Sequence, residues 1–195
     1  MPGTASVVSE SLLAACRRGE EAAQHRLYKL LAYQLMGVCL RYCASRAEAE
    51  DALQNAFVRI FTRLEQYRGD GPFEAWARRV TVHTALHVVE QNRRHAAASS
   101  LTFDPDDDSD PTAQLPSTDP SALETLAADD LLRQLAALPP GYRTVLNLYA
   151  IEGYTHPEIA QLLGISEGTS KSQLARARQL LAQRLGLRKS TLYQP

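Results

Sequence analysis

Nowhere in its 195 residues does the chain carry an apolar run approaching the ~18 positions needed to cross a bilayer, so no membrane insertion is expected. The segment Met1 to Glu10 lacks a basic stretch followed by an apolar one. No secretory signal is visible there, and the cytoplasm is the expected location. Cysteine is scarce: Cys16, Cys39 and Cys43 are odd in number and have no CxxC spacing, which argues against a disulfide framework or a structural zinc site. Cys39 and Cys43, four apart on an expected helix, read as small buried hydrophobes. There is no glycine-rich phosphate loop and no Ser-His-Asp set, so neither an enzymatic activity nor a cofactor is expected. His83 and His87 are spaced i, i+4, but Thr84 stands where an HExxH site needs glutamate, and His95 is the only further candidate ligand. No metal site is expected.

With 45% hydrophobic residues and 22% charged, the chain can bury a core. Its net charge of −1 conceals a marked asymmetry. Residues 96–130 hold nine Asp or Glu and no Lys or Arg, leaving 21 basic side chains against 13 acidic ones elsewhere. From Glu167 to Lys189 there are six basic residues and one acid. That distribution suggests anion-binding domains joined by an acidic connector.

The first half reads as helix. A helix from about Ser11 to Cys43, with a break near Arg18-Gly19, carries Leu12, Leu13, Leu27, Leu30, Leu31 and Leu35. In the next, Ala49, Leu53, Ala56, Phe57, Ile60, Phe61 and Leu64 recur at three- and four-residue steps and mark a buried face. Ser45 and Glu48 form a capping box at its start. Asp51, Gln54, Asn55 and Arg59 are too polar for that face and form an exposed stripe beside it. Tyr67-Arg68-Gly69-Asp70-Gly71-Pro72 is a turn, and a third helix runs from Phe73 to about Arg94. Tyr67 and Arg68 before the turn and Trp76 after it place aromatics beside basic groups, a combination suited to single-stranded nucleic acid. Residues 96–119, with Pro105, Pro111 and Pro116 among Asp, Ser and Thr, read as a flexible linker able to extend ~80 Å. A second helical block begins at Asp119-Pro120, and Pro139-Pro140-Gly141 forces a turn before a short helix, Tyr142 to Ala150. No strand pattern and no repeat is evident, so the expected fold is all-α, in two helical domains.

Residues 155–181, THPEIAQLLGISEGTSKSQLARARQLL, carry the most information. Thr155 and Glu158 make a second capping box, Gly164 suits a left-handed helix end, Ile165 fits a buried turn, and Ser166 caps the next helix. Helix, tight glycine turn, helix is the order of a helix-turn-helix. On the second helix Ser170, Leu174, Ala177, Leu181 and Leu185 share one face. Thr169, Ser172, Gln173 and Arg176 point away from it, at ~100° per residue. Those outward groups donate and accept hydrogen bonds near the helix N-terminus, where a major-groove reader needs them, with Lys171 and Arg178 flanking for phosphates.

Several segments together resemble one family. Leu138-Pro139, Tyr142-Arg143, Val145, Glu152-Gly153, Glu158-Ile159-Ala160, Gly164-Ile165-Ser166, Gly168-Thr169, Lys171-Ser172 and Ala175-Arg176-Ala177-Arg178 are similar to the C-terminal domain of extracytoplasmic-function (ECF) sigma factors of the sigma-70 class. Glu50-Asp51-Ala52-Leu53-Gln54-Asn55-Ala56-Phe57 resembles that family's polymerase-binding segment. Tyr67-Arg68-Gly69-Asp70, Phe73, Trp76 and Arg79-Val80 resemble its promoter-melting segment. The resemblance implies a region 2 domain over 11–95, an acidic linker over 96–119 and a region 4 helix-turn-helix domain over 120–189. It implies core RNA polymerase and promoter DNA as partners, with an anti-sigma factor as regulator. Asp51, Gln54, Asn55 and Arg59 would dock on the clamp helices of the polymerase's largest subunit. Tyr67, Arg68, Trp76, Arg79 and His83 would meet the minus-10 element, with Arg78, Arg93 and Arg94 on phosphates. Thr169, Lys171, Ser172, Gln173 and Arg176 would meet the minus-35 element. Gln173 departs from the family's usual Arg, Ser170 from a branched apolar residue, Asn55 from Glu and His83 from Asn. The competing reading is a dimeric helix-turn-helix repressor that binds duplex DNA without polymerase.

Overall fold

The computed structural model describes residues 7–99 and 133–185, and every regular element among them is helical. The chain divides into two compact units, 1–113 and 114–195. In the first, α1 spans Glu10–Arg17, α2 Glu21–Tyr42, α3 Arg46–Thr62 and α4 Phe73–Ser99, with a 3-10 turn at Leu64–Gln66. In the second, a helical turn at 133–136 precedes α5 (Pro140–Ala150), α6 (His156–Leu163) and α7 (Glu167–Arg184). Residues 100–119 of the expected linker and the Asp119-Pro120 helix start lie outside the described residues.

The break between α1 and α2 falls at Gly19, where two bonds close a Schellman end: Gly19 N–H to the Cys16 carbonyl at 3.0 Å and Glu20 N–H to Ala15 at 3.2 Å. Helices α2, α3 and α4 pack mutually, each against the other two. Ala49, Ala52, Ala56 and Ile60 are fully buried, and Leu53 and Phe57 almost so. From α2, Leu27, Leu31, Leu35, Val38 and Cys39 complete the core, and from α4 Phe73, Ala77, Val82 and Ala85. Leu30, expected on the inner face, is 37% exposed. Leu27, Leu31 and Leu35 are spaced by four and point one way, whereas Leu30 is turned ~100° from Leu31. Thr81 and Thr84 are buried within α4, each donating its hydroxyl to the carbonyl four residues back, at 2.9 and 2.8 Å. Burial pushes the Cys39 thiol up to about 12 and raises Cys16, where the Glu20 charge adds to the shift.

Two boundaries differ from the sequence reading. Helix α4 continues to Ser99, beyond Arg94, through Ala96-Ala97-Ala98, and alanine is the strongest helix former. Helix α5 starts at Pro140 rather than Tyr142, because proline at the first helical position has no N–H to leave unbonded. The Ser45 cap accepts from Glu48 N–H at 3.2 Å, but the Glu48 carboxylate reaches Ala44 N–H at 2.6 Å instead of the cap residue itself. Its other oxygen accepts from Asn92 at 2.8 Å, fastening the start of α3 to α4.

The second unit is organised around α5, whose residues 143–148 are all buried. Arg143 lies among them, its Nη1 donating to the Ala136 carbonyl at 2.9 Å. Helices α6 and α7 pack on α5 and on each other through Ile159, Leu174 and Ala177. Gly164 ends α6 at φ 65°, a conformation that costs a side-chain-bearing residue energy. Ile165 is half-buried rather than buried, and Leu185 is 38% exposed, so the expected apolar face of α7 fades towards its C-terminus.

The contrast between the two faces of α3 sets the first expectation. Ile60→Ala removes a fully buried side chain and should destabilise by about 2–5 kcal/mol. Val58→Ala, at a position 61% exposed, should change stability by no more than about 0.5 kcal/mol. Urea unfolding of the full chain, followed by far-ultraviolet circular dichroism, measures both.

Candidate nucleic-acid and polymerase interfaces

The outer face of α3 follows from its inner one. With the alanines turned inward, Asp51, Gln54 and Asn55 are exposed and Arg59 is half-buried. Val58 stands among them and is also exposed. It escaped sequence reasoning because a valine within an amphipathic helix is ordinarily assigned to the core. Single exposed apolar residues are common on protein surfaces, and here Val58 adds apolar area to the middle of the polar stripe. At one margin, Phe57 meets Tyr28 of α2 with ring centroids 4.6 Å apart.

The turn after the 3-10 segment is built by its own aromatics. Phe73 is fully buried and anchors the first turn of α4. Tyr67 packs edge-on against Phe73 at 5.1 Å and tilts over Trp76 at 5.8 Å; Phe73 and Trp76 are 5.4 Å apart. The Tyr67 hydroxyl donates to the Gly71 carbonyl at 2.6 Å and so closes the loop on itself. Gly71, at φ 147°, holds a backbone conformation that side-chain-bearing residues rarely adopt. A cavity of about 230 Å³ results, lined by Tyr67, Arg68, Asp70, Trp76 and Arg79 among others. That is below the range of typical ligand pockets, ~300–1,000 Å³, and suits one small planar group beside a cation.

The expected minus-10 residues therefore separate into two sets. Tyr67, Arg68, Trp76 and Arg79 meet around the cavity. His83 does not line it and lies one turn beyond Arg79 on α4, exposed at the surface. Partial burial of the His83 ring, and secondarily the Arg79 charge, lower its pKa from the ordinary 6.5. Both effects favour the neutral ring, which offers one donor and one acceptor nitrogen. Farther along α4, Arg94 is paired with Glu90 at 2.8 Å. Nothing is described of the Arg93 or His95 side chains, and among the described residues no three His, Cys, Asp or Glu gather as metal ligands. The start of α4 is tied to the N-terminal segment, since Glu74 Oε1 accepts from the N–H of buried Val8 at 3.0 Å.

The helix-turn-helix is locally determined. Glu158 accepts from both the Thr155 N–H, at 2.8 Å, and the Thr155 hydroxyl, at 2.7 Å, at the start of α6. Ser166 caps α7 by accepting from Thr169 N–H at 3.0 Å. The polar side chains of α7 make bonds within the chain. Thr169 and Ser166 hydroxyls are 2.8 Å apart, and Ser172 donates to the Thr169 carbonyl at 3.0 Å. Lys171 pairs with Glu167 at 2.6 Å, and that ammonium is the main reason the Glu167 carboxyl sits below its ordinary pKa. Ser172 and Arg176 are exposed, whereas Thr169 and Gln173 are half-buried. Ser170, fully buried, lies 2.9 Å from His156 Nδ1. The His156 ring stacks on Tyr149 at 4.6 Å, and Arg178 lies 5.6 Å over the Tyr149 ring. A serine on the apolar face of α7 was visible in the sequence, but the partner that satisfies it, 14 residues earlier, was not.

Two family models match this chain: Sigma-70 region 2 over residues 27–95 and Sigma-70, region 4 over residues 128–181. The ECF RNA polymerase sigma factor SigE of Mycolicibacterium smegmatis is 32% identical over 164 residues, covering 83% of this chain. The chain spans 59% of that relative's length. The RNA polymerase sigma-H factor of Pseudomonas aeruginosa is 26% identical over 175 residues, covering 88% of this chain and 91% of the relative. In fold, the chain is similar to one in the co-crystal structure of the sigma factor RpoE with the anti-sigma factor NepR from Bartonella quintana. The TM-score is 0.56 at 18% identity, over 85% of this chain and 98% of that one.

The electrostatics of α4 make a direct expectation. His83 should titrate below 6.5 in the folded protein when followed by NMR of its ring protons. Because Arg79 disfavours the protonated ring, Arg79→Ala should move the midpoint upward. A midpoint that stays in place would assign the whole shift to burial.

Proposed function

Since the chain belongs to the sigma-70 family, in its ECF branch, we propose that it binds core RNA polymerase and directs promoter-specific initiation by reading minus-35 and minus-10 elements. The observation that carries this reading is the presence, in order in one chain, of both family modules, each with an exposed polar or aromatic surface of the appropriate chemistry. A helix-turn-helix alone would fit many regulators of duplex DNA. The first unit, with an aromatic cavity beside cations, fits a protein that also holds a base out of the duplex. Sigma factors are regulatory initiation factors, and on this reading the chain performs no catalysis of its own and works in the cytoplasm with the polymerase.

In the proposed mechanism Asp51, Gln54, Asn55 and Arg59 dock on a partner helix of the polymerase, with Val58 supplying an apolar contact at the centre. Thr169, Ser172, Gln173 and Arg176 face the minus-35 major groove, and Lys171 meets phosphate. A minus-10 base leaves the duplex and enters the cavity, meeting the Tyr67 and Trp76 rings, while Arg68 and Arg79 face the backbone and His83 lies farther along the strand. Stacking on an aromatic contributes ~1–3 kcal/mol per base, comparable to the few kcal/mol that extrusion costs. Strand separation then needs no chemical step. The polymerase and promoter form the principal complex, and an anti-sigma factor is the expected inhibitory partner.

Two variants separate the surfaces. Replacing Asp51 and Gln54 by Lys should weaken co-purification with core polymerase at unchanged helical content; undiminished recovery would reject the α3 surface. Tyr67→Ala should bind core enzyme normally yet open the promoter about tenfold less, as read by permanganate footprinting. Normal opening by that variant would contradict base capture.

A further inference from the structure

Two of the outward side chains of α7 touch the first turn of α5. Arg176 Nη1 donates to the Tyr142 hydroxyl at 3.2 Å, across 34 positions of sequence. Beside it, the Gln173 side chain lies over Gly141, where a Cβ would make ordinary van der Waals contact, 3.4 Å from its Nε2 and 3.5 Å from its Oε1. Tyr142 is half-buried, fixed on a helix whose next six residues are all buried, whereas Arg176 is exposed. One partner of the hydrogen bond is therefore rigid and the other, without it, would sample many rotamers.

We propose that Tyr142 is a positioning residue for base selection, holding one corner of the Arg176 guanidinium so that its other edge meets the DNA. The inference rests on the reading of α7 as the minus-35 helix. Arginine presents five N–H donors in a planar fork. A single bond from Nη1 to a phenol oxygen leaves the Nη2 and Nε edge open for the two parallel bonds by which arginine recognises guanine. An arginine already held on one side loses less freedom on docking, and the benefit falls on the sequence whose acceptors match the held geometry. The first turn of α5, which need not touch DNA, thus sets the starting position of Arg176, one of the four outward groups.

The test uses holoenzyme assembled from core polymerase and the full-length chain, bound to a duplex promoter library randomised across the minus-35 element. Sequencing of the bound fraction gives the preference at each base pair. Arg176→Ala should abolish preference at one pair. Tyr142→Phe keeps the ring and removes only the acceptor, and should reduce preference at that same pair about twofold to tenfold. Its loss on promoters carrying other base pairs there should be smaller. In the Arg176→Ala background, Tyr142→Phe should add nothing. A Tyr142→Phe protein that keeps the full preference, or weakens equally on every sequence, overturns the positioning role while leaving the minus-35 reading intact. Unchanged preference in Arg176→Ala would overturn that reading, and the positioning role with it.

Discussion

The first unit depends on the close approach of α2 and α4 to α3, which is possible because the inner face of α3 is lined by alanines. Ala49, Ala52 and Ala56 are fully buried, with Leu53, Phe57 and Ile60 filling the wider spaces between the helices. Small side chains allow short separations and dense packing, and a larger residue at any of the three would force the helices apart. The same arrangement dictates what α3 shows to the outside. Once the alanines face inward, the 3.6-residue period leaves Asp51, Gln54, Asn55 and Val58 no other direction, so the proposed docking face is a geometric consequence of the core. The Glu48 carboxylate, bonded at once to Ala44 and to Asn92, fixes the start of α3 against α4.

Both proposed nucleic-acid surfaces are held in shape by bonds and ring contacts within the chain. In the loop following the 3-10 turn, the hydroxyl of Tyr67 is committed to Gly71 and its ring to Phe73 and Trp76. The atoms that shape the cavity are those that fold the loop, so the cost of ordering them falls on folding rather than on the proposed base capture. On α7 the bonds of Thr169, Ser172 and Arg176 to Ser166, the helix backbone and Tyr142 have a similar effect. The Lys171–Glu167 pair differs, since on the proposed reading Lys171 exchanges a carboxylate for a phosphate, a replacement of one exposed ion pair by another.

Local rules made much of this legible. Amphipathic periodicity located α3, and the order Thr155, Glu158, Gly164, Ser166 located the helix-turn-helix, because caps and left-handed glycines are set by neighbours within a few residues. Departures occurred where a neighbour in sequence was not the deciding one. Leu30 turned outward because α2 has only one buried side, and α4 outran Arg94 because three alanines favour helix irrespective of the acidic residues that follow. The cap of α3 kept its serine, but its glutamate found two partners, one of them 44 residues away.

What the sequence by itself determined was an all-α chain with a polar-faced third helix, an aromatic-flanked turn and a helix-turn-helix: features encoded in spacings of three, four and seven residues. Tertiary structure alone decided which of the marked residues meet. It gathered Tyr67, Arg68, Trp76 and Arg79 around one cavity and left His83 a turn away, uncovered Val58, set His156 on buried Ser170, and laid Gln173 and Arg176 against Gly141 and Tyr142. The physical reason is range. Capping, periodicity and turn formation are settled between residues less than about two turns apart, whereas packing joins side chains whose separation along the chain carries no information about their distance in space.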